Sequence, residues 1–525
     1  MSLTLVIGGT RSGKSGRAET LAVATGLPVR YVATADATDP AMAERIRRHA
    51  ERRPPSWTTV EAGDELAAAV ADAGGTCVLL DGLGPWVATA LHRAGAFDEP
   101  EAATLRGVRE RVMAEIESVA AAAAGPDPLI VVAEEAGQGV LPPDAASRAW
   151  LDLIGDAKLR LAEVAERVEL VVAGRPLALA GGPAAVDEKL RSHGDAALAP
   201  GLADHAVNVM SGGPPDWLRA ALHDALDSDG HRYPDERPAA AALAALHGRD
   251  AAEVVPTNGA AEALWLLPAA LRPTLAACVH PAFTEAEAAL RAHGVPVARV
   301  LRDPDRDFAL DPAAVPDAAD LVVVGNPASP SGTLDPAAAL LALRRPGRVL
   351  VVDEAFMDLV PGEPGTLVRD PLPDVIVVRS LTKSMALPGV RAGYAVAAPA
   401  LAQRLRAARP AWSANAVALA ALTAVAERPE VLAATAERAA QGRADLAERL
   451  DGLAGVRTWP GAANFCLVCV ADGPEVVAAL RERGIAVRPA ASFPGLGPGH
   501  LRITARSAPE NERVARALAG AVGAV

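Results

Sequence analysis

A glycine-rich segment near the N-terminus has the residue types and spacing of a phosphate-binding loop. It fits the pattern GxxxxGK[ST], and it stands between an apolar run, Leu3–Ile7, and a helical pattern that starts at Lys14. The segment consists of Gly8, Gly9, Thr10, Arg11, Ser12, Gly13, Lys14 and Ser15. Backbone N–H groups of such a loop turn toward phosphate oxygens, at a helix N-terminus that favours anions. We expect Lys14 to reach the terminal phosphates of a nucleotide and Ser15 to coordinate Mg²⁺.

A carboxylate that suits the same magnesium ion follows later in the chain. Asp81 ends the run Val-Leu-Leu-Asp, where P-loop enzymes place the acid that holds Mg²⁺. The alternative is that Asp81 caps the helix that follows. The sequence has no Asn-Lys-x-Asp guanine signature after a strand, which argues against a switch GTPase.

His49 has the surroundings of a nucleophile for phosphate chemistry. It lies among five arginines, namely Arg45, Arg47, Arg48, Arg52 and Arg53. Their charge disfavours the imidazolium form, which predicts a neutral imidazole near pH 7. Guanidinium groups also suit a polyphosphate substrate. The simpler interpretation is the solvated face of a basic helix, and the residue types alone leave both open.

The order of these segments resembles the adenosylcobinamide kinase / adenosylcobinamide-phosphate guanylyltransferase family over about residues 1–180. The segments are GGTRSGKS, YVATA, MAERIRRHAERRP, WTTVE, LLD and EEAGQGVLP. The resemblance implies that one P-loop phosphorylates the cobinamide aminopropanol and then transfers GMP from GTP through a guanylylated His49. It implies GTP or ATP as nucleotide, with contacts from the loop and from Ala33, Thr34, Ala35, Arg52, Arg53, Pro54, Pro55, Glu61 and Asp81.

The N-terminal segment departs from the family pattern in two places. Where the family has Asn-Glu-Val-Gly, this chain has Glu134-Glu135-Ala136-Gly137. Where the family has Gly-Arg-x-Asn-Gln, it has Gly-Asp-Ala-Lys-Leu at 155–159, with Asp156 and Lys158. The added negative charge falls on the side expected for the substrate. Nucleotide binding is therefore predicted to persist, and one of the two reactions to be weakened.

A second set of residues, in the C-terminal half, suits pyridoxal phosphate. Lys383 follows a predicted strand and is expected to form a Schiff base with the cofactor aldehyde. Ser380 and Arg391 would bind the cofactor phosphate, the arginine as a fork-shaped donor. Asp353 ends another strand and would keep the pyridine nitrogen protonated, with Phe356 counted among the cofactor-binding residues. A helix that opens at Asn258, Gly259 and Ala260 could add backbone N–H donors.

This combination resembles the fold-type I pyridoxal-phosphate enzymes of the class I/II aminotransferase family over about residues 193–525. More narrowly it resembles threonine-phosphate decarboxylase and histidinol-phosphate aminotransferase. The supporting segments are HGD from His193, VNV around Asn208, RYPD around Tyr233, DEAFMD from Asp353, SLTK from Ser380, FPGLG from Phe493 and LRITAR from Leu501. The resemblance implies that Arg502 holds a substrate carboxylate, that Asn208 lines the substrate side, and that Tyr233 reaches across a dimer interface.

Two positions depart from that family as well. The asparagine that binds the cofactor's O3′ is replaced by Ser329, a shorter donor. Ala286 stands where an aromatic residue is expected after Phe283-Thr-Glu. Weaker cofactor binding, and ring stacking lost or supplied elsewhere, are the consequences expected from the sequence.

Composition limits the remaining function classes. The 525 residues carry a net charge of −13, which argues against nucleic acid or an anionic membrane as a general partner. Four cysteines cannot form a disulfide framework, so a cytoplasmic location is expected. Cys466 and Cys469 form one CxxC without a second pair, which indicates a buried strand rather than a zinc site. No run reaches the 18 or so apolar residues of a membrane span.

Alternating strand and helix patterns predict an α/β fold in two parts. An N-terminal P-loop domain with a parallel sheet is expected over 1–180, followed by a linker over 181–192. The pyridoxal-phosphate fold is expected over 193–525, with a large lobe at about 220–410 and a small α+β lobe at about 411–525 that includes the N-terminal arm. Aromatic residues make up only 3% of the chain, so the core must consist mostly of Ala, Val and Leu.

Together the two resemblances predict a bifunctional enzyme of cobalamin biosynthesis. Its small-molecule substrates would be adenosylcobinamide, GTP and threonine phosphate, and it would form a homo-oligomer through the C-terminal domain. One alternative is a C-terminal aminotransferase acting on a phosphorylated substrate of the histidinol-phosphate type. A second alternative is a nucleotide- and cofactor-binding scaffold with little catalysis. Retention of both nucleophiles, His49 and Lys383, argues against the scaffold.

Overall fold

A computed structural model describes residues 3–35, 44, 46–47, 51, 53–71, 73–98, 101–180 and 187–523. The chain forms two compact units, Met1–Ala184 and Ala185–Val525. The division falls inside the segment that the sequence predicts as a linker. Leu190, near the end of that segment, is buried, and its carbonyl accepts a hydrogen bond from the Thr284 hydroxyl, 2.6 Å away. This stretch therefore packs against the C-terminal unit.

The N-terminal unit contains a seven-stranded sheet of order β3-β2-β4-β5-β1-β6-β7, parallel except for the last pair. Its strands are β1 Leu3–Gly8, β2 Val29–Ala33, β3 Thr58–Glu61, β4 Cys77–Asp81, β5 Leu129–Glu134, β6 Arg167–Val172 and β7 Arg175–Ala180. Its helices are α1 Lys14–Ala24, α2 Leu66–Val70, α3 Leu83–Arg93, α4 Ala102–Ala122 and α5 Ala145–Val164. The central strands are almost continuous runs of buried Val, Leu and Ile, as expected of parallel strands covered on both faces.

The register of the central strands brings three functional positions to one edge of this sheet. Strand β5 lies between β1 and β4. Gly8 of β1 pairs with Glu134 of β5, and Asp81 of β4 pairs with Val132 of β5. Each is at or near the carboxyl end of its strand. Ligands of open α/β sheets bind at this edge, so the fold positions the P-loop, Asp81 and Glu134 around one site.

The C-terminal unit contains two sheets. The larger has the order β11-β10-β12-β13-β14-β15-β9, in which β15 runs antiparallel to both neighbours. Its strands are β9 Val254–Asn258, β10 Ala276–His280, β11 Val297–Leu301, β12 Leu321–Gly325, β13 Val349–Asp353, β14 Val375–Ser380 and β15 Ala392–Ala397. The smaller sheet has the order β16-β17-β19-β18-β8, formed by β8 Ala203–His205, β16 Arg457–Trp459, β17 Phe465–Cys469, β18 Ile485–Pro489 and β19 His500–Thr504. Strand β8 precedes the large sheet in the chain and completes the small one.

Helices cover both sheets of the C-terminal unit. They are α6 Asp216–Asp229, α7 Arg237–His247, α8 Gly259–Leu271, α9 Glu285–Ala292, α10 Ala337–Leu341, α11 Leu381–Ser384, α12 Pro399–Ala408, α13 Ala416–Ala426, α14 Pro429–Leu450, α15 Gly473–Glu482 and α16 Ala508–Val522. In the described part of the chain no helix combines the length and apolar character that crossing a membrane requires.

The predicted α/β class is confirmed. Strand β6 begins at Arg167 and includes the buried Glu169, which fits the sheet because Arg17 and Arg167 neutralise it. The Ala-rich helix α13 begins at Ala416, where the Asn415 side chain caps it. In the C-terminal region, two strands lie between successive helices from α14 to α16. Cys466 lies buried in β17, as predicted.

Candidate active sites

The P-loop lysine occupies a buried position at the start of α1. Lys14 is 5% exposed, and its amine lies 3.4 Å from the Gly9 carbonyl oxygen and 3.8 Å from a Glu134 carboxylate oxygen. The amine therefore sits at the mouth of the loop formed by residues 8–13. The cavity here is lined by Lys14, Ser15, Tyr31, Ala33, Thr34, Ala35, Ile46, Arg53, Asp81, Gly82, Pro85 and Glu134.

Ser15 and Asp81 form the pair of oxygen donors expected for Mg²⁺. The Ser15 hydroxyl donates to one Asp81 carboxylate oxygen over 2.9 Å, and the Tyr31 hydroxyl donates to the other. Burial and the Asp81 charge raise the pKa of Tyr31 well above its usual range, so this phenol stays a donor. A hydroxyl and a carboxylate are hard oxygen ligands, which fits a magnesium ion with several waters. The alternative role of Asp81 as a helix cap is wrong, because Gly82 is the N-cap residue of α3.

The structure assembles only part of the predicted nucleotide contacts. Ala33, Thr34, Ala35 and Arg53 line the cavity, and the Arg53 guanidinium lies 3.5 Å above the Tyr31 ring. Pro54, Pro55 and Glu61 are exposed and do not line it. His49 and Arg52 lie outside the described residues. Tyr31, which sequence analysis did not assign to the site, is marked in the sequence only by its place before Val-Ala-Thr-Ala.

The departures from the family pattern are mostly paired within the N-terminal unit. Lys158 binds Glu135 over 2.7 Å, and Asp156 binds Arg109 over 2.5 Å. Their charges are thus largely balanced by partners. Glu134 differs, since its carboxylate faces the Lys14 amine in the cavity beside the P-loop. Its added negative charge therefore lies at the P-loop itself.

In the C-terminal unit, Lys383 lies on α11 and lines a cavity of about 460 Å³. Burial, reinforced by the charges of Arg502 and Arg391, lowers the pKa of its amine to about 8. Asp353 lies at the end of β13 on the same cavity, and burial raises the pKa of its carboxyl to about 6. A lysine that loses its proton readily and a buried acid are the two groups a pyridoxal-type cofactor needs from the protein.

The start of α8 and Arg391 lie close together on the wall of this cavity. Gly259 has a φ of +77°, and a Cβ there would lie 2.6 Å from an Arg391 guanidinium nitrogen. Only glycine therefore lets this guanidinium approach the helix N-terminus. Ala260 and Ser380 line the cavity next to it, whereas Asn258 does not. Backbone N–H groups, a hydroxyl and a guanidinium fit the phosphate of pyridoxal phosphate.

The same cavity is lined by a second arginine. One Arg502 nitrogen donates to the Ser329 hydroxyl over 3.1 Å and another to the Ala206 carbonyl over 2.7 Å. Burial, with a smaller contribution from Arg488, lowers the pKa of Arg502 to about 9. An anion bound here would stabilise its charged form. Asn208 and Phe356 also line the cavity. Tyr233 does not: it is 78% exposed and stacks on Trp412, with ring centres 4.4 Å apart.

Sequence analysis missed a third guanidinium in this cavity. Arg488, in β18, is buried and lines the cavity, and it donates to the Ser192 carbonyl over 2.6 Å and to the Ser492 hydroxyl over 2.8 Å. Its Nε has no hydrogen-bond partner among the described residues. The sequence signal for Arg488 was its place in the otherwise apolar strand Ile-Ala-Val-Arg-Pro. A strand that is apolar on both faces is buried, so its one arginine is expected to be buried as well.

The wall near α9 also differs from what the sequence led us to expect. Ala286 is buried in the apolar core and does not line the cavity, whereas Phe283 and Glu285 do. The Glu285 carboxylate binds the His193 imidazole over 2.7 Å and accepts from the Trp265 indole over 2.6 Å. The His193 ring lies 5.6 Å from the Phe283 ring. Aromatic character in this wall therefore comes from Phe283 and His193.

Comparison with known proteins matches each unit to a family. Residues 4–179 match the model for cobinamide kinase / cobinamide phosphate guanyltransferase, and residues 202–519 match the model for aminotransferase class I and II. The N-terminal part is 40% identical over 182 residues to the bifunctional adenosylcobalamin biosynthesis protein CobP of Pseudomonas aeruginosa, covering 34% of this chain and 98% of that protein. The chain belongs to both families.

The class I and II part is similar to proteins of more than one named activity. It is 46% identical over 321 residues to a histidinol-phosphate aminotransferase of Mycobacterium tuberculosis, covering 60% of this chain and 87% of that protein. It is 32% identical over 332 residues to the threonine-phosphate decarboxylase of Salmonella typhimurium, covering 60% and 90%. A decarboxylase structure from Porphyromonas gingivalis, 24% identical, has a TM-score of 0.55 over 59% of this chain and 97% of that one, which supports the fold.

The lowered pKa of Lys383 predicts how this class I and II domain takes up its cofactor. The amine must be neutral to attack an aldehyde, and an ordinary lysine, with a pKa of about 10.4, is almost fully protonated at pH 8. With the pKa at about 8, the uptake rate of cofactor-free protein should rise with pH to about 8 and then level off. Stopped-flow absorbance with added pyridoxal phosphate measures this rate. A rate that still rises tenfold per pH unit between 8 and 10 would contradict the prediction.

Proposed function

We propose that this chain is a bifunctional enzyme of cobalamin biosynthesis. Its N-terminal unit would phosphorylate adenosylcobinamide and transfer GMP from GTP to the product. Its C-terminal unit would decarboxylate L-threonine O-phosphate to aminopropanol phosphate. The observation that carries the proposal is the presence, in one chain, of a cobinamide kinase family domain and a lysine cavity with three guanidinium groups. Aminopropanol phosphate supplies the group that the first unit then modifies, so the two activities belong to one assembly.

In the N-terminal unit, GTP or ATP and Mg²⁺ are proposed to bind at the cavity around Lys14. The loop N–H groups and Lys14 would hold the phosphates, and Ser15 and Asp81 would hold the metal. His49 would accept GMP as a phosphoramidate. The proposal includes the predicted contacts of Ala33, Thr34, Ala35 and Arg53, which is supported by their position on the cavity wall.

In the C-terminal unit, pyridoxal phosphate is proposed to bond to Lys383, with its phosphate at Ser380, Arg391 and the start of α8. When bound, the cofactor withdraws electrons from the substrate's α-carbon. Arg502 would hold the substrate carboxylate and Arg488 its phosphate group. Asp353 would hold the proton of the ring nitrogen. A substrate with two anionic groups explains why two arginines remain after Arg391 is assigned to the cofactor.

A second candidate is transfer of an amino group to or from a phosphorylated substrate of the histidinol-phosphate type. The 46% identity to the Mycobacterium tuberculosis protein of that name favours it. Arg488 would serve either substrate, because both carry a phosphate. The cobinamide kinase domain on the same chain favours the decarboxylase, since histidinol phosphate has no place in corrinoid chemistry. The third possibility, a scaffold with little catalysis, is opposed by Lys14 and Lys383, both of which open into cavities.

One experiment separates the two reactions of the C-terminal unit. The full-length protein loaded with pyridoxal phosphate is given threonine phosphate, and released CO₂ is measured against glutamate formed from histidinol phosphate and 2-oxoglutarate. The proposal expects CO₂ release and little glutamate. Lys383→Ala is the control, and it should lose both the reaction and the visible absorption of lysine-bound cofactor. Glutamate formation without CO₂ release would establish the aminotransferase instead.

His49 is tested by its covalent product. Full-length protein incubated with Mg²⁺ and α-labelled GTP should carry the label on His49 by mass spectrometry, and His49→Ala should carry none. His92→Ala, which changes a histidine on α3, is the matched control and should label normally. Equal labelling of the His49→Ala protein would remove His49 from the mechanism. A cytoplasmic location and a homo-oligomer formed through the C-terminal unit complete the proposal, the latter supported by the exposed Tyr233–Trp412 pair.

A further inference from the structure

Glu134 holds a carboxylate at the terminal-phosphate end of the nucleotide cavity. It ends β5, the strand directly beside the P-loop strand, and pairs in register with Gly8. One carboxylate oxygen, Oε1, lies 3.8 Å from the Lys14 amine. Because Lys14 is the residue that reaches the terminal phosphates, Glu134 lies beside the position of the phosphoryl group to be transferred.

The other carboxylate oxygen is fixed by the first turn of α3. Oε2 accepts a hydrogen bond from the Gly84 backbone N–H over 2.6 Å. A Cβ at residue 84 would lie 2.4 Å from Oε2 and 3.0 Å from the Trp150 ring, so a side chain at 84 would displace the carboxylate. The Trp150 indole in turn donates to the Gly84 carbonyl over 2.8 Å. Glu134 is therefore held in one orientation by the Gly84 backbone and by the Trp150 ring packed against it.

Oε1 remains available to accept a proton. No described residue donates a hydrogen bond to it, and its distance from Lys14 exceeds hydrogen-bond length. Glu135, the next residue, is by contrast tied to Lys158 over 2.7 Å. Of these two adjacent acids, only Glu134 combines a fixed position at the phosphate site with an oxygen to which no residue in the described part of the chain donates.

We propose that Glu134 is the general base of the phosphorylation step, an inference that rests on the proposed kinase activity. The acceptor hydroxyl oxygen attacks the γ-phosphorus, and the hydroxyl proton passes to Oε1 of Glu134. The new oxygen–phosphorus bond forms as the bond from the γ-phosphorus to the β,γ-bridging oxygen breaks, and the nucleoside diphosphate leaves. GMP transfer proceeds at the α-phosphorus with a histidine nucleophile, so it does not need this carboxylate.

The test compares Glu134→Gln with wild type in the full-length protein. Gln keeps an oxygen for the Gly84 N–H but cannot take the proton. Three quantities are measured: release of γ-phosphate to water from GTP with Mg²⁺, phosphorylation of adenosylcobinamide, and binding of GTP by calorimetry. We expect hydrolysis and phosphorylation to fall at least about 100-fold, as when a general base is lost. GTP affinity and covalent labelling by α-labelled GTP should stay within about threefold of wild type, or affinity should rise.

Gly84→Ala provides a second variant, which retains the Glu134 carboxylate but displaces it. It should lower both γ-phosphate reactions while GTP binding persists. Glu117→Gln, the same substitution on an exposed part of α4, is the control and should leave both reactions unchanged. Because hydrolysis needs no cobinamide, wild type that hydrolyses GTP without phosphorylating adenosylcobinamide would refute the proposed function and still test Glu134.

Three results would overturn the role of Glu134. Hydrolysis within about threefold of wild type in Glu134→Gln would show that another group takes the proton. Faster hydrolysis would show that the carboxylate restrains Lys14 instead. Parallel loss of hydrolysis, GTP binding and labelling would reduce Glu134 to a structural residue.

Discussion

Replacing Arg379 by methionine is expected to lower the free energy of unfolding of the C-terminal unit by about 3 to 5 kcal/mol, the range for removing one partner of a buried ion pair. Arg379 has no exposed surface. All five of its N–H groups donate at 2.7 to 3.3 Å, to the acceptors Glu354, Asp358, Glu363 and Thr366. Without the guanidinium, three carboxylates share a buried space with no cation between them. Urea unfolding followed by circular dichroism measures the loss.

The destabilisation should depend on pH in a definite direction. Burial raises the pKa of Glu354 and Asp358 above their ordinary values, and the Arg379 charge is the largest effect that opposes the rise. In the variant these pKa values rise further, so the folded state holds protons that the unfolded chain releases. An acid whose pKa is raised in the folded state stabilises the fold at low pH, and this stabilisation is lost as the pH increases. The variant should therefore lose more stability at pH 8 than at pH 5.5.

Arg369→Met is the matched control. Arg379 and its acceptors Glu354, Asp358 and Glu363 form a buried ionic cluster. Arg369 is about half exposed and contacts this cluster only through Glu363, at 3.0 Å. Loss of its guanidinium should therefore lower the free energy of unfolding by less than about 1 kcal/mol. If Arg379→Met costs no more than this control, the cluster contributes nothing that an apolar side chain cannot replace.

The buried ionic cluster around Arg379 also supports the residues of the cofactor site. Arg379 precedes Ser380 in the chain, and Glu354 follows Asp353. Asp358 also accepts from the hydroxyl of Ser384, the neighbour of Lys383, over 3.1 Å. One buried cation thus fixes the ends of β13 and β14 and the helix that carries the lysine. We therefore expect weaker retention of pyridoxal phosphate in Arg379→Met even where the protein remains folded.

What the sequence predicted correctly is what adjacent residues determine. The P-loop and the segment that ends at Lys383 each contain their own turn, helix start and functional side chain. Their chemistry is therefore visible in a few consecutive letters. Asp353 belongs with them, because a carboxylate that ends an apolar strand must lie at the edge of the sheet where ligands bind.

What the sequence could not predict depends on pairing between distant segments. His193 and Glu285 are 92 positions apart, and Arg379 binds three acids that lie 16 to 25 positions before it in the chain. No local pattern states which buried charge will meet which partner. Ala286 illustrates the same limit, because matching it to an aromatic position did not reveal that Phe283 and His193 occupy the cavity wall.

Arg488 is where this limit has the largest functional consequence. If Arg391 serves the cofactor phosphate and Arg502 a carboxylate, Arg488 is left for a second anionic group of the substrate. Burial lowers the pKa of Arg488, so a charged guanidinium with an unpartnered Nε gains by meeting an anion. Charge-assisted hydrogen bonds are worth about 1.5 to 3 kcal/mol each. Arg488→Met should therefore lower kcat/KM for threonine phosphate about 100-fold or more.

The decisive quantity is the ratio between two substrates. Unphosphorylated threonine has no group for Arg488 to bind, so its slow decarboxylation should change little in Arg488→Met, and the preference for threonine phosphate should collapse. Arg481→Met changes an arginine on α15 whose guanidinium is exposed, and it should preserve the preference. Equal losses for threonine and threonine phosphate would instead mean that Arg488 supports the cavity wall through Ser192 and Ser492.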